Sequence, residues 1–482
     1  MKTARRYPLI AEVNPPYSAA ELSALFQDRP FAFFLDSGMD PGKLGRFSFL
    51  GSDPFLVVRS RGEEITLLRD GAAETRRGNP FDILGELLKV YALDRDPDLP
   101  PLAGGVVGYL SYDLGHFMEK LPGRARDDLQ LPESYLSFYD VVLCFDHQTG
   151  KTCLVSSGFP ELDEERRLRR ARERLHETES RLKAFKNTTS PREKNVAYEG
   201  LVLRSNFSHE NYLRAVAAAR EYICAGDIFQ VNLSQRLAAD PRIPPYELYR
   251  RLRQLNPAPF AAYLDLDGVQ VVSASPERFL RVTGDMVETR PIKGTRPRGQ
   301  TPQEDRRNAR QLLSSLKDRA ENVMIVDLER NDIGRVCRYG TVKVTELAVL
   351  ETFPTVFHLT STVVGQLSPG KDRIDLLKAT FPGGSITGAP KVRAMEIIDE
   401  LEPTRRSVYT GSLGYFSFDG GMDLNIVIRT FIIKGQRAYF QAGGGIVYDS
   451  EPQSEYDETL DKARALIRAL GLSSEVVVEA AP

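Results

Sequence analysis

The residue with the clearest chemical potential is a lysine in a short segment rich in glycine and proline. Lys293 stands in residues 291–299, which read PIKGTRPRG. Proline fixes and glycine frees the backbone dihedrals, which predicts that this amine is held at a defined point on a loop. Beside Arg296 and Arg298, a desolvated lysine would lose part of its preference for the charged form and act as a nucleophile. Taken alone, such a segment more often carries solvated surface charges.

Further motifs along the chain give this lysine a context. Their order is residues 275–279 (SPERF), the lysine segment, 321–332 (ENVMIVDLERND), 383–391 (GGSITGAPK), and 443–448 (GGGIVY) leading into 455–459 (EYDET). Together they resemble the signature of the chorismate-using enzymes, the family of the large components of anthranilate synthase and aminodeoxychorismate synthase and of the salicylate and isochorismate synthases. The resemblance covers most of the chain. It implies an α+β fold, a large interlocked unit of antiparallel β-sheets with flanking helices.

The resemblance implies two catalytic residues, Lys293 and Glu277. Lysine at the position of Lys293 is typical of the aminodeoxychorismate synthase type. It would add to ring carbon C2 of chorismate as the C4 hydroxyl leaves, and ammonia would then expel it to give 4-amino-4-deoxychorismate. Glu277 would protonate the departing hydroxyl as a general acid. A salt bridge from Glu277 to Arg278 is the structural alternative, although adjacent residues of a strand point to opposite faces.

Two related reactions are less compatible with these residues. Direct attack of ammonia at C2 leads toward anthranilate, and Lys293 would stand in its way. Water-adding relatives use a lysine base where this chain has Gln230, and an amide is a poor base. The nearest alternative is therefore an anthranilate synthase large component, and the alternative from another class is a non-enzymatic protein that binds an aromatic metabolite.

Three acidic residues, Glu321, Glu455 and Glu458, resemble the magnesium site of the family. Carboxylate oxygens suit Mg²⁺, which is the expected cofactor. Glu455, Glu458 and Lys462 are spaced i, i+3 and i+7, which places them on one face of a predicted helix. Without the resemblance, this pattern would indicate an ordinary charged helix face.

The carboxylates of chorismate require local positive charge and backbone donors. Arg429, in a strand predicted at 426–432, and the N–H groups of Gly443, Gly444 and Gly445 are the candidates. By resemblance, the same pocket includes Lys462, Thr387, Tyr409, His358 and Gln230. His358 alone would fit a satisfied core histidine equally well. Residues 383–388 superficially resemble a phosphate-binding loop. Ala389 and Pro390 follow where lysine and serine or threonine are required, so nucleotide binding is not expected there.

The composition excludes several classes of partner. The chain has 482 residues with 64 Lys and Arg against 66 Asp and Glu, so its net charge of −2 gives no reason to expect nucleic acid or an anionic membrane. Its four cysteines lack metal-ligand spacing, and no apolar run resembles a signal peptide or a membrane span. We expect a cytoplasmic protein. No cysteine has a glutaminase setting, so ammonia should come from a separate glutamine amidotransferase subunit.

The chain reads as two subdomains, at 1–190 and 191–482. Apolar or alternating runs predict strands in the first half at 31–35, 55–59, 106–112 and 139–145. Residues 161–186 predict a charged surface helix, and the polar segment 187–199 predicts the linker. In the second half, Ser208 should cap a helix that ends at Gly226. The elements that follow lack a βαβ rhythm, which favours antiparallel sheets.

One segment of the first half is echoed in the second. Residues 108–113 read GYLSYD and residues 414–419 read GYFSFD, and 52–54 faintly resemble 275–277. The echo indicates either two related layered halves, of which only the second kept the chemistry, or a chance recurrence of a strand and turn pattern.

The N-terminal segment resembles an amino-acid pocket of the same family. Residues 34–37 (FLDS) and 45–51 (GRFSFLG) carry the likeness. In anthranilate synthases this pocket binds tryptophan, and the resemblance implies that in the aminodeoxychorismate type it either holds tryptophan structurally or is empty. Tryptophan is therefore a candidate ligand. Asp36 would meet the ammonium group, and Ser37 and Ser48 would complete the pocket. A plain strand and turn is the structural alternative.

Overall fold

Two large β-sheets with helices on their outer faces form the fold. The structure is a computed structural model that describes residues 5–39, 42–186, 201–354, 356–472 and 478–480. Its strands are β1 (Leu9–Val13), β2 (Phe33–Asp36), β3 (Phe47–Gly51), β4 (Leu56–Arg61), β5 (Glu64–Arg69), β6 (Ala72–Arg77), β7 (Gly105–Leu110), β8 (Ser134–Tyr139), β9 (Val141–Asp146), β10 (Lys151–Ser156), β11 (Leu203–Ser205), β12 (Gln230–Ala239), β13 (Phe260–Asp265), β14 (Val269–Ser275), β15 (Arg278–Thr283), β16 (Met286–Arg290), β17 (Ile292–Pro297), β18 (Lys343–Thr352), β19 (Val356–Gln366), β20 (Gly388–Ala389), β21 (Ser412–Ser417), β22 (Met422–Ile426), β23 (Thr430–Lys434), β24 (Arg437–Ile446) and β25 (Val478–Ala480).

The helices lie between and after these strands. They are α1 (Ala19–Leu22), α2 (Pro80–Val90), α3 (Glu164–Ala184), α4 (His209–Cys224), α5 (Pro245–Leu255), α6 (Pro302–Ser314), α7 (Leu316–Gly334), α8 (Arg373–Thr380), α9 (Lys391–Leu401) and α10 (Pro452–Ala469), with short 3₁₀ turns at Ser23–Leu25, Tyr112–Phe117 and Gly384–Ile386. Within the described ranges, no helix is both long and apolar enough to cross a bilayer.

The first sheet has the strand order β1-β10-β9-β3-β2-β13-β14-β23-β24-β12-β11-β25, with β20 paired to β12. The second has the order β17-β19-β16-β15-β22-β21-β7-β8-β4-β5-β6, with β18 paired to β19. Among the described strands, only β11 and β25 pair in parallel. The predicted α+β class with antiparallel sheets is confirmed.

Each sheet is built from two halves with the same order of strands. Counted from the centre of the first sheet, β2-β3-β9-β10-β1 on one side matches β13-β14-β23-β24-β12 on the other. In the second sheet β7-β8-β4-β5-β6 matches β21-β22-β15-β16-β19. The echoed segments meet at its centre, where Gly108 lies opposite Gly414. This topology favours two related halves over chance recurrence.

The described apolar core has three large layers and two smaller clusters. Between the sheets, large side chains such as Phe33 and Tyr139 pack edge to face with their ring centroids 4.6 Å apart. The outer face of the second sheet packs against α2 and α8, and that of the first sheet against α3, α5 and α10. Burying each such aromatic side chain contributes roughly 1.5–3 kcal/mol. The layers therefore hold the connections between the sheets in fixed positions.

Local signals account for the helix ends that the sequence predicted. The Ser208 side chain accepts a hydrogen bond from the N–H of Asn211 and begins α4, which ends before Gly226 at φ 83°. The charged helix α3 begins after Asp163 and buries Leu182.

The predicted linker at 187–199 lies outside the described residues. Strands from both sides of residue 190 join in each sheet.

Candidate active site

Two connections between the sheets position two of the candidate residues. β14 of the first sheet ends at Ser275 and β15 of the second begins at Arg278, so Glu277 lies in the crossover. A second crossover joins β22 to β23 and contains Arg429 with φ 53°. The prediction that Arg429 lies inside a strand is therefore wrong, because the chain changes sheets at this point and bends through a left-handed conformation.

Beside these crossovers lies a cavity of about 140 Å³, called here the lysine cavity. Several predicted residues that are far apart in the sequence line it together. They are Glu277, Lys293, His358, Tyr409, Arg429, Gly443 and Lys462. The fold thus brings an amine, a carboxyl group and three further cations, Arg406, Arg429 and Lys462, to one small space.

Lys293 lies on a strand rather than on the predicted loop. It is the second residue of β17, which pairs with β19 through Ile292 opposite Thr360 and Thr295 opposite His358. The register shifts by one residue between these pairs, and Gly294 has φ 85°. A β-bulge therefore holds Lys293 in place, and bulges commonly re-aim side chains beside active sites.

The surroundings of Lys293 favour the neutral amine. Burial lowers the pKa of Lys293, Glu321 opposes this change, and Lys462 adds to it. The cations expected to lower it, Arg296 and Arg298, are instead paired to aspartates at 2.9 and 2.7 Å. The prediction that these two arginines lower the pKa of Lys293 is wrong, because burial and the charge of Lys462 lower it instead. No hydrogen bond or ion pair engages the amine among the described residues.

Glu277 is a buried carboxyl group suited to donate a proton. Burial raises its pKa to about 7, while a hydrogen bond with Ser385 and the charge of Lys293 act in the opposite direction. The N–H of Ile292 lies 3.5 Å from Oε1. Arg278 does not pair with it, because that arginine contacts Glu288 and Asp423 at 2.7 and 2.9 Å. The salt-bridge alternative for Glu277 is therefore excluded.

One face of α10 carries the predicted acidic residues. Lys462 Nζ lies 2.6 Å from Glu458 Oε1 and donates to the carbonyl of Gly443 at 2.9 Å. Glu455 Oε1 accepts from Ser450 Oγ at 2.6 Å, whereas Glu455 Oε2 is buried without a hydrogen-bond partner in the described chain. A Cβ on Gly444 would lie 3.0 Å from that oxygen. The glycine thus leaves space directly beside an unsatisfied carboxylate oxygen.

These carboxylates fit a magnesium ion in part. Burial raises the pKa of Glu321 and of Glu455, and the charge of Glu458 adds to both shifts. A bound cation would relieve this repulsion, and hard oxygen ligands beside free space suit Mg²⁺, which keeps several waters. Across the described ranges, no three His, Cys, Asp or Glu side chains are already gathered as a metal site. The magnesium role stays a prediction.

Three other residues that line the lysine cavity suit recognition of a carboxylate. Burial lowers the pKa of Arg429 to about 10, so the guanidinium remains charged at neutral pH. It has no ion pair among the described residues. Burial and Arg429 lower the pKa of His358 to about 4, so its ring is neutral, and it lies 2.9 Å from Thr295 Oγ1. Burial raises the pKa of Tyr409 to about 12, which keeps the hydroxyl protonated.

Four predicted substrate residues do not line the lysine cavity. Thr387 is buried and donates to the carbonyl of Gly383 at 3.1 Å. Gln230 is fully buried, and neither amide atom has a partner in the described chain. A Cβ on Gly445 would lie 1.9 Å from Gln230 Nε2. Gly444 and Gly445 therefore make room for neighbouring side chains, and of the triplet only Gly443 reaches the cavity.

A buried ion pair whose arginine, Arg406, lines the lysine cavity was missed from the sequence. Arg406 and Glu402 lie 2.8 Å apart and are almost fully buried. Arg406 also donates to the carbonyls of Ile386 and Asn232 at 2.9 and 2.8 Å, and Glu402 accepts from Ser234. Their spacing of four residues is a weak signal, because both follow the end of α9 and lie outside a helix.

The N-terminal segment lines a cavity of about 1070 Å³ between the two halves. Ser37 faces it, but Ser48 does not and instead lies 2.7 Å from His147 Nε2. Asp36 is paired to Arg253 and accepts from the Tyr249 hydroxyl at 2.8 Å. Asp36 also lines the cavity, and its predicted contact with an ammonium group stays a prediction. The ligand of this cavity stays a prediction.

Comparisons with known proteins identify the family of this chain. The chain belongs to the chorismate binding enzyme family, whose model matches residues 54–468. It is 44% identical over 470 residues to anthranilate synthase component 1 of Thermus thermophilus, covering 97% of this chain and 98% of the relative. It is 39% identical over 455 residues to aminodeoxychorismate synthase component 1 of Bacillus subtilis, covering 94% and 95%.

The fold is likewise similar to a solved structure. Anthranilate synthase component I from Streptococcus pneumoniae superposes with a TM-score of 0.76 at 36% identity, covering 87% of this chain and 91% of that chain. The family resemblance read from the motifs is confirmed. The protein is a chorismate-utilising synthase, and its relatives are named for two different reactions at similar identity.

Proposed function

We propose that this chain is the chorismate-using component of aminodeoxychorismate synthase. It would convert chorismate and ammonia to 4-amino-4-deoxychorismate and water, for para-aminobenzoate and folate biosynthesis. The observation that carries the proposal is the amine of Lys293, which faces the lysine cavity beside Glu277 in surroundings that favour its neutral form.

In the first step, the lone pair of Lys293 Nζ forms a bond to ring carbon C2. The two ring double bonds shift by one position, and the bond from C4 to its hydroxyl breaks. Glu277 supplies the proton, so the hydroxyl leaves as water. Its pKa of about 7 allows a large protonated fraction near neutral pH.

In the second step, ammonia attacks C4 from the space that the water leaves. The double bonds return to their original positions, and the bond between Nζ and C2 breaks. One proton of the incoming nitrogen returns to Glu277, so both catalytic groups regain their starting states. Dividing the substitution into two additions avoids one difficult direct displacement.

Binding would orient the ring between opposite charges. Arg429 and Lys462 supply the positive charge for the two substrate carboxylates. Glu455 and Glu458, with Glu321 nearby, would hold Mg²⁺. The ion would neutralise charge between these side chains and a substrate carboxylate.

Ammonia would come from a glutamine amidotransferase subunit. None of the four cysteines lines the lysine cavity, and Cys144 and Cys337 are buried. Cys153 is half-buried on β10 and Cys224 is exposed at the end of α4, and neither stands in a nucleophile-elbow setting that would activate a glutaminase thiol. The nucleophile for that reaction is therefore expected on a second protein.

Product identification tests the proposal. The purified chain is incubated with chorismate, Mg²⁺ and ammonium, and the product is identified by mass and absorbance. We expect aminodeoxychorismate. Anthranilate is the rival product, because several relatives are named anthranilate synthase. Anthranilate as the main product would show that Lys293 does not direct the reaction. Absence of turnover would favour the binding-protein alternative.

A further inference from the structure

A second cavity, of about 450 Å³, lies on the other end of strands β12 and β24. It is called here the arginine cavity and shares no lining residue with the lysine cavity. Five arginines from separate segments line it: Arg126, Arg204, Arg236, Arg242 and Arg437. The overall charge of the chain is close to neutral, so this concentration of positive charge is local.

Among the described residues, only two acidic side chains line the arginine cavity, and both are already engaged. Asp128 is paired to Arg236, and Asp240 is paired to Arg437 at 2.8 Å. The remaining three arginines have no ion pair or side-chain hydrogen bond with the described residues. Like charges held together in a concave site repel one another, and an anion would relieve this repulsion.

Buried Arg236 independently indicates that the arginine cavity has more hydrogen-bond donors than the described residues satisfy. Its side chain is 5% exposed, and its Nη2 is occupied by Asp128. Its Nη1 is buried without a hydrogen-bond partner in the described chain. Unpaired buried donors are rare and costly in folded proteins.

We propose that the arginine cavity binds a small dianion of the phosphate class, either inorganic phosphate or the phosphate group of a small monoester. A tetrahedral phosphate offers several oxygens in different directions. This geometry suits the three unpaired guanidinium groups, which approach the cavity from separate segments of the chain. A simple carboxylate has one charge and two oxygens in a plane, so it satisfies fewer of them. The proposal does not depend on which chorismate reaction the lysine cavity performs.

Two exposed arginines allow a test that leaves the fold intact. Arg204 and Arg242 contact no acidic partner in the described chain, so the double variant Arg204→Gln, Arg242→Gln removes two charges without breaking an ion pair. A matched control is Arg169→Gln, Arg172→Gln on the exposed side of α3, which removes the same charge. Unchanged basal turnover of chorismate with ammonium shows that both variants are folded.

Calorimetric titration of the full chain with inorganic phosphate measures the binding. We expect one saturable site in wild type and control, and binding at least about a hundredfold weaker in the double variant, because each charge-assisted contact contributes about tenfold. Parallel titration with glycerol 3-phosphate distinguishes a monoester from free phosphate. No saturable binding to wild type, equal binding by the double variant, equal weakening in the control, or equal binding of acetate would overturn the proposal.

Discussion

At the scale of single residues, the lysine cavity holds its ionisable groups away from their ordinary charge states. Burial favours neutral Lys293 and protonated Glu277, while Arg429 keeps its charge. An amine that attacks and an acid that donates both need their neutral forms near neutral pH. Desolvation of one small cavity supplies both conditions at once.

Replacing the lysine tests the covalent mechanism. We expect Lys293→Ala to lower aminodeoxychorismate formation by more than about a hundredfold, since the nucleophile is lost. Direct attack by ammonia could then yield some anthranilate. Initial rates and product ratios by liquid chromatography measure both effects. The control is Lys371→Ala, which removes an exposed lysine paired to Asp375. Unchanged aminodeoxychorismate turnover in Lys293→Ala would contradict the mechanism.

The stability of the protein should report the buried acid. The pKa of Glu277 is about 7 in the folded chain against 4.5 for an ordinary glutamate. The folded state thus binds more protons between these values, so the associated stability is full below pH 4.5 and is lost as pH rises through 7. Glu277→Gln removes this dependence. At pH 8 we expect the variant to be more stable than wild type, by up to about 3 kcal/mol.

Urea denaturation at pH 5 and pH 8 measures this difference. The gap between Glu277→Gln and wild type should shrink at pH 5, while the exposed control Glu64→Gln should behave like wild type at both values. A gap that is independent of pH would show that Glu277 is not the titrating group.

At the scale of elements, the site depends on where strands bend or change sheets. The crossovers β14 to β15 and β22 to β23 deliver Glu277 and Arg429, and the bulge of β17 delivers Lys293. Helix α10 then adds Glu455, Glu458 and Lys462 from one face. Strand ends and bulges release side chains from the alternating pattern of the sheet.

The bulge can be tested at its glycine. In Gly294→Ala the new Cβ would lie 3.0 Å from both Asp318 Cβ and Leu312 Cδ1, at a φ of 85°. We expect a loss of about 1–3 kcal/mol in stability and of about a hundredfold in turnover, because small displacements of a reacting group are costly. Gly370→Ala has a similar φ of 82° with nothing within 4 Å. This control should lose stability but keep its turnover.

Helix α10 should couple the metal to the substrate. Glu458→Gln removes one charge beside Gly444 and Lys462. We expect the apparent affinities for Mg²⁺ and for chorismate to fall together, by at least about tenfold each, because the ion would bridge protein and substrate carboxylates. Titrations of activity against each component measure them, with the exposed neighbour Asp457→Asn as control. Equal binding of chorismate with EDTA and with Mg²⁺ would contradict bridging.

At the scale of the whole molecule, the two halves share a topology but differ in the residues at their matching crossovers. The crossover from β3 to β4 corresponds to the crossover that carries Glu277, yet its acidic residue, Asp53, is held by Arg29 at 3.0 Å. Between the halves lies the large cavity lined by Ser37 and Tyr415. The first half therefore contributes strands to both sheets and residues to the lining of the large cavity.

The absence of tryptophan from the chain makes this cavity testable. Because the chain contains no tryptophan, indole fluorescence from the pure protein must come from a bound ligand. We expect added tryptophan to raise the melting temperature by mass action, and denatured protein to release any that copurifies. Differential scanning fluorimetry and mass spectrometry are the measurements. No release and no effect on melting or turnover would show that the cavity does not bind tryptophan.

The sequence by itself determined the family, the antiparallel α+β class, the cap at Ser208, and the common helix face of Glu455, Glu458 and Lys462. The family and the fold class follow from motifs and element patterns along most of the chain. The cap and the helix face follow from residue types and spacings within a short segment, where local geometry decides the outcome. Only the tertiary structure placed Arg429 in a crossover, paired Arg406 with Glu402, and engaged Asp36 with Arg253. These contacts join residues that are held together by the packing of two sheets. Desolvation of Lys293 and Glu277 likewise arises from surrounding elements, and no local pattern encodes it.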